Sequence, residues 1–510
     1  MKRSPALAVL AALVLSGCGT TVHGATNAAP AAGNQGLNAP ATTDGSQPTG
    51  TAPGGDVTGP TSGSAGQITG PGTTATGSDA GSSSGTPAGP GTARLKATYT
   101  GVTASTISIA VAVSGTGTSA GENVGKAFGV AGFSSQPERP IIEAMIKDIN
   151  AHGGVLGRKL VPVYRTVDGA DSRSYAEQSQ ELCSAYTEDN KVFAHINVVS
   201  DATFFACMEK RGTVGVERRV VGSDVVTRSF PGIFTASDLD YTTATALLVR
   251  HLMQQGFLTK SSKIGILQTD TPDFDRVRVN GVERVLASGG MQIAKTYRVT
   301  PVQSTSDAAT AVRDAQAAVL QFASAGIDKV LFVQPNGALF DITFMQQAEQ
   351  QGYRPDYGLS SHDGPVALVG GNAPKAQLDG SRGVGFSPYD DFTDVPKAQE
   401  SPAVAKCVAI FTKAGLPKPG DRGQLNQYLS YCATFQLFAT IASAAGPELT
   451  RSSFIVAGER LGRDYDDPFA IRGASFRARG LHEGITAWQP ISYVASCDCF
   501  RPAGAVSRLR

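Results

Sequence analysis

The spacing of hydrophobic residues between positions 141 and 164 predicts a helix, a tight turn and a strand. Apolar residues recur at the spacing of one helical face, at Ile141, Ile142, Met145 and Ile149. Gly153 and Gly154 supply the backbone freedom that a helix end requires. Residues 160–164 are typical of a buried strand, as are residues 106–113 upstream. Together these stretches predict a strand–helix–strand unit, which begins a parallel sheet.

The same alternation continues along the chain and restarts once. Further helices are predicted at 174–186, 201–211, 241–255, 277–288, 307–325 and 338–351. Further strands are predicted at 191–199, 212–221, 233–235, 263–268, 291–299 and 329–334. Two successive runs of alternating strands and helices predict an α/β fold of two Rossmann-like lobes with parallel sheets.

The first residues have the features of an export signal. Lys2 and Arg3 precede an apolar run at 6–15, which is too short to span a bilayer. The run ends in Leu15-Ser16-Gly17-Cys18, which matches a bacterial lipobox; an ordinary signal peptide that contains a cysteine is the alternative. Residues 1–17 are therefore predicted to be a lipoprotein signal peptide, with Cys18 lipidated on the extracytoplasmic face of the cell membrane.

Residues 18–95 are predicted to form a disordered tether. Between positions 19 and 93 the chain is rich in Gly, Ser, Thr, Ala and Pro and contains no Lys, Arg or aromatic residue. Such a segment cannot bury enough apolar surface to offset its ordering entropy. A flexible chain of this length spans roughly 50 Å, which would let a folded domain stand clear of a membrane.

The charge balance excludes one class of partner. The chain has 510 residues, a formal net charge of +1 and 17% charged residues. Nucleic-acid binding requires a concentrated basic surface, so no nucleic-acid partner is expected. The length is enough for two or three core-bearing units.

One motif in the opening unit resembles a known family. The string IKDINAHGGVLGRKL follows a strand that ends in VAVSG. In this order the two strings are similar to the opening of the type 1 periplasmic-binding proteins. Within that family they most resemble the branched-chain amino-acid (Leu/Ile/Val) receptors of ABC transporters. The resemblance extends more weakly from about Thr106 to about Ser496, and it implies two lobes that are joined by a three-segment hinge.

The resemblance also implies how the two lobes are divided. It assigns lobe one to residues 96–235 and 362–449, and lobe two to residues 236–361 and 450–510. Within this division, three stretches return to lobe one, at 383–387, 402–414 and 424–445. Two stretches then return to lobe two, at 450–460 and 484–496. The crossings are expected near 235–238, 360–364 and 446–450.

Six cysteines remain in this exported chain once Cys18 is set aside. An even number in an oxidising compartment favours disulfides, but the sequence alone leaves many pairings open. The family's receptors often carry a bridge near Cys183 and Cys207, although here the second cysteine stands on the helix after the strand. Bridges are predicted for Cys183 with Cys207 and for Cys407 with Cys432. Cys497 and Cys499 are expected either to pair with each other or to form a metal or redox site.

Candidate ligand-binding residues follow the strands, because ligands of open α/β sheets bind beyond the carboxyl ends of strands. In lobe one they are Ser114, Thr116, Asn197, Ser200, Ser223 and Asp224. In lobe two they are Asp270, Phe274, Gln334, Asn336 and Asp363, of which Phe274 stands where the family often places an aromatic lid. Each could instead belong to a solvated loop or cap a helix, as Ser200 in particular could.

Catalytic and cofactor motifs are weak or missing in the sequence. Residues 114–118 follow a strand like the start of a dinucleotide loop, but the rest of the fingerprint is missing, so no cofactor is expected. No Gly-x-Ser-x-Gly or His-Glu-x-x-His motif is present, so an exported hydrolase is disfavoured and no enzyme activity is expected. His195 is expected in the core and His362 in a binding contact. No metal site is expected.

The expected function is that of an extracytoplasmic, lipid-anchored solute-binding protein. The resemblance implies that a small polar ligand, an amino acid or a related metabolite, is captured between the lobes and delivered to an ABC-transporter permease. The protein is expected to be a monomer. The alternative is a ligand-sensing receptor lipoprotein that signals to a membrane or cell-wall partner. The family holds its amino acid with Ser, Ala and Thr, whereas this chain has Asn197-Val198-Val199-Ser200 and Gly222-Ser223-Asp224-Val225 at the corresponding strand ends.

Overall fold

The structure is a computed structural model, which describes residues 95–114, 136–167, 173–198, 202–302, 307–335, 337–371 and 373–509. The predicted signal peptide, Cys18 and the tether up to residue 94 lie outside the described residues. So do the candidate residues Thr116, Ser200 and Asn336.

The first lobe is built on a sheet of five parallel strands. In chain order they are β1 Thr106–Ser114, β2 Lys159–Val167, β3 Ala194–Ile196, β4 Val214–Glu217 and β5 Ile233–Thr235. Their order in the sheet is β2-β1-β3-β4-β5, and every neighbouring pair is parallel. The helices between them are α1 Glu138–Ala151, α2 Tyr175–Ser184, α3 Ala202–Lys210 and α4 Asp224–Ser229.

The chain then enters the second lobe, where strands and helices alternate again. The strands are β6 Ile264–Thr269, β7 Ile293–Val299, β8 Lys329–Val333, β9 Asp356–Ser360 and β10 Arg382–Gly385. The helices are α5 Tyr241–Gln254, α6 Pro272–Val277, α7 Arg284–Ser288, α8 Ala308–Ala325, α9 Ala338–Gln350, α10 Pro365–Gly370 and α11 Lys375–Leu378. A π-helical turn at Arg278–Glu283 joins α6 to α7.

A helical segment returns to lobe one before the last strands form. It contains α12 Pro388–Asp391, α13 Pro402–Lys413, α14 Arg422–Ala444 and α15 Arg451–Glu459. The last strands are β11 Ala487–Val494, β12 Cys499–Pro502 and β13 Ser507–Arg508. The second sheet runs β12-β11-β10-β9-β8-β6-β7, with β13 paired to β11. Its strands β6 to β10 are parallel, whereas β11 runs antiparallel to its neighbours.

The opening strand–helix–strand unit forms as predicted, but its second strand is not buried as expected for residues 160–164: β2 lies at the edge of the sheet, and only Leu160 is buried. In α1 the apolar residues Ile141, Ile142, Met145 and Ile149 are all buried. Gly154 has φ +64°, and a Cβ there would lie 2.1 Å from the carbonyl oxygen of Arg158, so only glycine fits this turn. Strand β2 then pairs with β1 in parallel from Thr106 opposite Lys159 onward.

The structure corrects the predicted position of residues 383–387. They were expected in lobe one, but β10 pairs in parallel with β9 and antiparallel with β11 in the lobe-two sheet. The close fit depends on Gly383, because a Cβ there would lie 1.6 Å from the carbonyl oxygen of Leu359. The chain therefore crosses back to lobe one after residue 385, near α12, and not near residues 360–364.

The second correction concerns residues 450–460, which were expected in lobe two. Phe454 of α15 packs edge-on against Phe193 and Phe234, both from lobe-one strand regions. It belongs to the same buried cluster as Phe438 of α14 and Phe469. The α15 helix is thus part of the lobe-one core. The final crossing lies between residue 469 and β11, and not near residues 446–450; β11 itself is in lobe two, as expected for residues 484–496.

Three disulfide bonds are present in the structure. Two of them, Cys183–Cys207 and Cys407–Cys432, are the predicted bridges and tie helix to helix. The third joins Cys497 to Cys499, which was one of the two expectations for this pair. The two longer loops have separations of 24 and 25 residues, and a loop of this size contributes about 3 kcal/mol in the chain-entropy model.

Peptide mapping of the exported protein without reduction is expected to recover peptides joined through Cys183–Cys207 and Cys407–Cys432. Both bridges join residues that the fold already holds close, with Cα atoms 6.2 and 5.7 Å apart, so they form without distortion. Mapping after reduction serves as the control. Free thiols at these four positions in the unreduced protein would contradict the prediction.

In the part of the chain that the structure describes, no helix is both long enough and apolar enough to cross a membrane.

Candidate functional site

A cavity of about 390 Å³ opens at the carboxyl ends of the lobe-one strands. It is lined by Ala112, Val113, Ser114, Glu138, Val167, Asn197, Val198, Glu217, Arg218, Arg219, Val221, Ser430 and Tyr431. These residues follow or end strands β1 to β4, or lie on α1 and α14. This is the edge of an open parallel sheet where ligands bind. Two of the predicted site residues, Ser114 and Asn197, lie together here.

A hydrogen-bonded chain crosses one wall of this cavity. The backbone N–H of Ser114 donates to Glu138 Oε2 at 2.6 Å. The Tyr431 hydroxyl hydrogen-bonds to the same carboxyl, and the side chain of Asn197 hydrogen-bonds to Tyr431. Asn197 has φ +50°, a left-handed conformation that asparagine adopts more readily than most residues. Burial raises the pKa of Glu138, and the bonds from Ser114 and Tyr431 oppose that rise.

Beneath the cavity, a buried histidine and glutamate form a second polar pair. His195 Nδ1 lies 2.8 Å from Glu217 Oε1, which also accepts from the N–H of Val198 at 3.2 Å. Burial raises the pKa of Glu217, while the bond from His195 opposes the rise. The His195 ring packs against Phe204 and Phe205, so it is a core residue, as predicted. The hydrogen bond between His195 and Glu217 holds the carboxyl end of β4 against β3, and these two strand ends form the floor of the cavity.

Two arginines follow β4 and connect the cavity with the segments between the lobes. Arg218 pairs with Asp390, and Arg219 lies 3.4 Å from the same carboxylate. Arg219 also lies 3.3 Å from Asp238, which is buried on the first crossing segment. The coulombic field of Asp238 and Asp390 keeps the pKa of Arg219 raised despite burial. Both arginines are therefore already neutralised by carboxylates of the chain.

The segments that cross between the lobes are packed against one another through buried polar contacts. His362 Nε2 lies 2.7 Å from Asp238 Oδ1, and its ring stacks on Tyr241 at 4.0 Å. Arg477, on the last crossing segment, donates to the carbonyl oxygens of Thr235 at 2.7 Å and Ala236 at 3.1 Å. His362 was expected to contact a ligand, but its partner in the structure is Asp238.

The predicted lobe-two residues Gln334 and Asp363 meet at a buried carboxyl pair. Gln334 Nε2 donates to Asp341 Oδ1 at 2.9 Å. Asp341 in turn shares a hydrogen bond with Asp363, which also accepts from the N–H of Ser360 at 2.6 Å. Burial raises the pKa of Asp341 and that of Asp363, the latter to about 6. Sequence reasoning missed Asp341, which lies within a helix rather than at a strand end.

Two other predicted lobe-two residues do not face the cavity. Phe274 is 4% exposed and packs edge-on against Tyr241 within the lobe-two core. It is a core residue here rather than an aromatic lid. Asp270 forms a surface ion pair with Arg298 at 2.5 Å, with over half of its side chain exposed.

The predicted residues Ser223 and Asp224 form bonds between the lobes. The Ser223 N–H donates to Asp273 Oδ2 at 2.8 Å, and its side chain also caps α4. Asp224 pairs with Arg276 at 2.9 Å, which lowers the pKa of that carboxyl. Both partners lie on α6 of lobe two, so this loop joins the two lobes and does not line the cavity.

Six polar or charged cavity residues were not predicted, namely Glu138, Glu217, Arg218, Arg219, Ser430 and Tyr431. The two arginines could have been predicted from the sequence, because they come directly after the buried strand Val214–Glu217. Residues at the carboxyl ends of parallel strands lie at the edge of the sheet where ligands bind. The prediction placed the end of this strand near Gly222 and therefore chose Ser223 and Asp224. Strand β4 in fact ends at Glu217, so the residues at its end are Arg218 and Arg219. Glu138 and Tyr431 lie on helices, where the strand-end rule gives no signal.

Comparison with known proteins identifies the family. The model of the periplasmic binding protein family matches residues 124–495, and the chain belongs to this family. Its members are solute-binding proteins that bind without catalysing a reaction, and they act outside the cytoplasm. No curated protein sequence matches the chain.

Solved structures share the fold at low sequence identity. A fatty acid ABC transporter substrate-binding protein from Thermomonospora curvata is 18% identical, with a TM-score of 0.55; the match covers 81% of this chain and 94% of that one. A branched chain amino acid ABC transporter protein from Thermus thermophilus with bound valine is 15% identical, with a TM-score of 0.57 and coverage of 79% and 96%. A solute binding protein from R. palustris in complex with 4-hydroxybenzoate is 14% identical, with a TM-score of 0.55 and coverage of 79% and 97%.

Proposed function

We propose that this protein is a lipid-anchored solute-binding protein that captures a small polar ligand and delivers it to an ABC-transporter permease. The observation that carries the proposal is the cavity at the carboxyl ends of the lobe-one strands. It combines Ser, Asn, Tyr and charged side chains with the apolar walls of Ala112, Val113, Val167, Val198 and Val221. Polar groups that converge on a cavity with apolar walls are typical of small-molecule sites.

The ligand we propose is an amino acid or a related small carboxylic acid. The three similar structures named above are described with fatty acid, valine and 4-hydroxybenzoate, which are all carboxylic acids. Ser114, Asn197, Ser430 and Tyr431 offer hydrogen bonds to such a ligand. Arg218 and Arg219 also line the cavity, with their charges balanced by Asp390 and Asp238. The valine side chains of the cavity walls would hold its apolar part.

Ligand capture is proposed to occur by hinge closure about the three crossing segments. A ligand that contacts both lobes favours the closed state through the contacts that it gains there. The Ser223–Asp273 and Asp224–Arg276 bonds already join lobe one to α6 of lobe two. Closure is expected to compact the protein, which small-angle scattering measures with and without ligand.

The cavity is tested by a thermal-shift screen over amino acids, short fatty acids and aromatic carboxylates, followed by calorimetric titration of any hit. Glu138→Gln is expected to weaken binding about 10-fold, because it alters the hydrogen-bonded chain through Ser114 and Tyr431. Glu143→Gln is the matched control, since it lies on an exposed turn of the same helix and pairs with Arg139. Equal affinities for the wild type and both variants would show that the ligand binds elsewhere.

The anchor is tested by Cys18→Ser. We expect the variant to be released into the medium or to remain unprocessed, because lipidation requires the cysteine thiol and stable attachment requires more than one acyl chain. Membrane fractionation and the mass of the mature N-terminus report the result. The Ser16→Ala variant keeps a small residue at this position of the lipobox and serves as the control. Cleavage and membrane association that persist in Cys18→Ser would disprove lipidation.

A further inference from the structure

The Cys497–Cys499 disulfide lies at the tip of the β11–β12 hairpin and differs from the other two bridges. Its cysteines are separated by 2 residues, against 24 and 25 for the others. Cys497 is exposed, whereas Cys499 is buried at 5% exposure. The other bridges include the buried cysteines Cys183, Cys407 and Cys432. A thiol in solution can therefore reach Cys497 but not Cys499.

This bridge contributes little to holding the fold together. The stabilisation from a cross-link grows with the length of the loop that it closes, and this loop is the shortest of the three. Val494 and Cys499 are already paired across the hairpin by the sheet, so the turn is closed without the sulfur bond. The residue between the cysteines, Asp498, has φ +48°, a left-handed conformation that aspartate adopts more readily than most residues.

The carboxylate between the two cysteines is held by neighbouring side chains. Asp498, which lies between the cysteines, accepts from Lys375 at 2.8 Å and from the Tyr493 hydroxyl at 2.6 Å. The bond from Lys375 holds the pKa of Asp498 below its usual range, so the carboxylate stays paired. Asp379 also faces this turn and acts on Tyr493. Lys375 is 71% exposed, so this ion pair lies at the surface and does not cover the turn.

We propose that Cys497–Cys499 is a thiol–disulfide exchange site, which accepts two electrons from an external dithiol. A thiolate of the donor attacks the exposed sulfur of Cys497, the bond between Cys497 and Cys499 breaks, and Cys499 leaves as a thiolate. The second thiolate of the donor then attacks the donor sulfur in the mixed disulfide and releases Cys497. The donor is oxidised to its disulfide by two electrons, and its two protons go to the two cysteines. The shared chemistry is a thiolate, from either a small thiol or a protein cysteine. With a monothiol such as glutathione, a second molecule makes the second attack, and the two donors leave as their mutual disulfide.

The first test places the folded, exported protein in glutathione buffers of increasing reducing strength. After acid quenching and alkylation, mass mapping gives the reduced fraction of each bridge. Cys497–Cys499 is expected to be half reduced at a glutathione ratio at least 100-fold less reducing than either other bridge requires, a difference of about 60 mV at about 30 mV per tenfold. Reduction of all three bridges together, or of the hairpin bridge last, would overturn the proposal.

The second test separates the roles of the two sulfurs and the source of the thiol. The Cys499→Ser protein leaves Cys497 as a single thiol, which is expected to form a mixed disulfide with oxidised glutathione and with a disulfide-bonded synthetic peptide. The Cys497→Ser protein is the matched control, and its buried Cys499 is expected to react at least 10-fold more slowly with both. Reaction with glutathione alone would assign the site to small thiols, and reaction with the peptide as well would extend it to proteins. Equal rates for the two variants would overturn the attack on Cys497, and a lack of reaction in both would overturn the site.

Discussion

Replacing Asp238 with alanine is expected to lower the free energy of unfolding by about 3–5 kcal/mol, the range for breaking a buried ion pair. Asp238 is 1% exposed and is shared by His362 at 2.7 Å and Arg219 at 3.3 Å. Its removal leaves the buried His362 without its hydrogen-bond partner and the partly buried Arg219 without one of its ion-pair partners. Because Arg219 also lines the cavity, the same change is expected to weaken ligand binding.

Urea unfolding of the Asp238→Ala protein, followed by circular dichroism, measures this effect. Asp270→Ala is the matched control, because Asp270 pairs with Arg298 on the surface, where an exposed ion pair contributes at most about 1 kcal/mol. Asp238→Asn keeps the shape and the bond to His362 but not the charge, so it should fall between the two. An Asp238→Ala midpoint as high as that of the control would contradict the role given to this carboxylate.

The site and the hinge are one connected polar system. Arg218 and Arg219 line the cavity, and both also form ion pairs: Arg218 with Asp390, and Arg219 with Asp390 and Asp238. Those two carboxylates lie on different crossing segments. A ligand that changes how the arginines are placed therefore also changes contacts of the hinge, which gives binding a direct physical route to lobe movement.

The opening unit and the two alternating runs could be predicted because their hydrophobic periods are clear. Strands β1, β6 and β8 are buried over most of their length, and helix α1 has one apolar face, whereas the edge strand β2 buries only Leu160. The spacing of apolar residues in the sequence shows directly which face of an element is buried. It does not show which sheet a later strand joins.

The path of the chain after β9 could not be predicted, because hydrophobic periodicity does not show which lobe an element joins. Strand β10 has four residues and two glycines, so its membership of lobe two depends on close backbone packing against Leu359. Helix α15 is equally suited to either lobe by its pattern, and its place is fixed by the rings of Phe193, Phe234 and Phe438. Phe193 and Phe234 lie more than two hundred positions from Phe454, so no local pattern shows these contacts.

The candidate site could be predicted only where a side chain directly follows a strand. Ser114 and Asn197 met that condition and lie in the cavity. Phe274 lies five residues beyond β6 and was predicted from the family resemblance, but its apolar ring packs in the core against Tyr241. Tyr431 lies in the middle of α14, and the structure alone brings it to Glu138.

Replacing Asp341 with asparagine is expected to raise stability at neutral pH, although Asp341 is fully buried. Asp341 and Asp363 are two carboxyls that share a hydrogen bond away from water, and burial raises the pKa of both above the ordinary 3.8. The charged groups Arg219 and His362 face Asp363 and only partly oppose this rise. The folded protein therefore holds a proton that the unfolded chain releases near pH 4. The stability that this pair contributes is complete below pH 4 and is lost as the pH rises through about 6.

Asp341→Asn keeps an oxygen for Gln334 and offers an N–H to Asp363, so it removes the repulsion without leaving a buried group unpaired. A pKa shift of one unit corresponds to about 1.4 kcal/mol, and we expect the variant to gain about 1–3 kcal/mol at pH 7.5 and almost nothing at pH 4. Denaturant unfolding at several pH values between 4 and 8 measures the difference. Asp379→Asn, on an exposed turn of the same lobe, is the control and should follow the wild type. A variant that is less stable than the wild type at pH 7.5, or whose advantage does not grow with pH, would show that the two carboxyls do not share a proton.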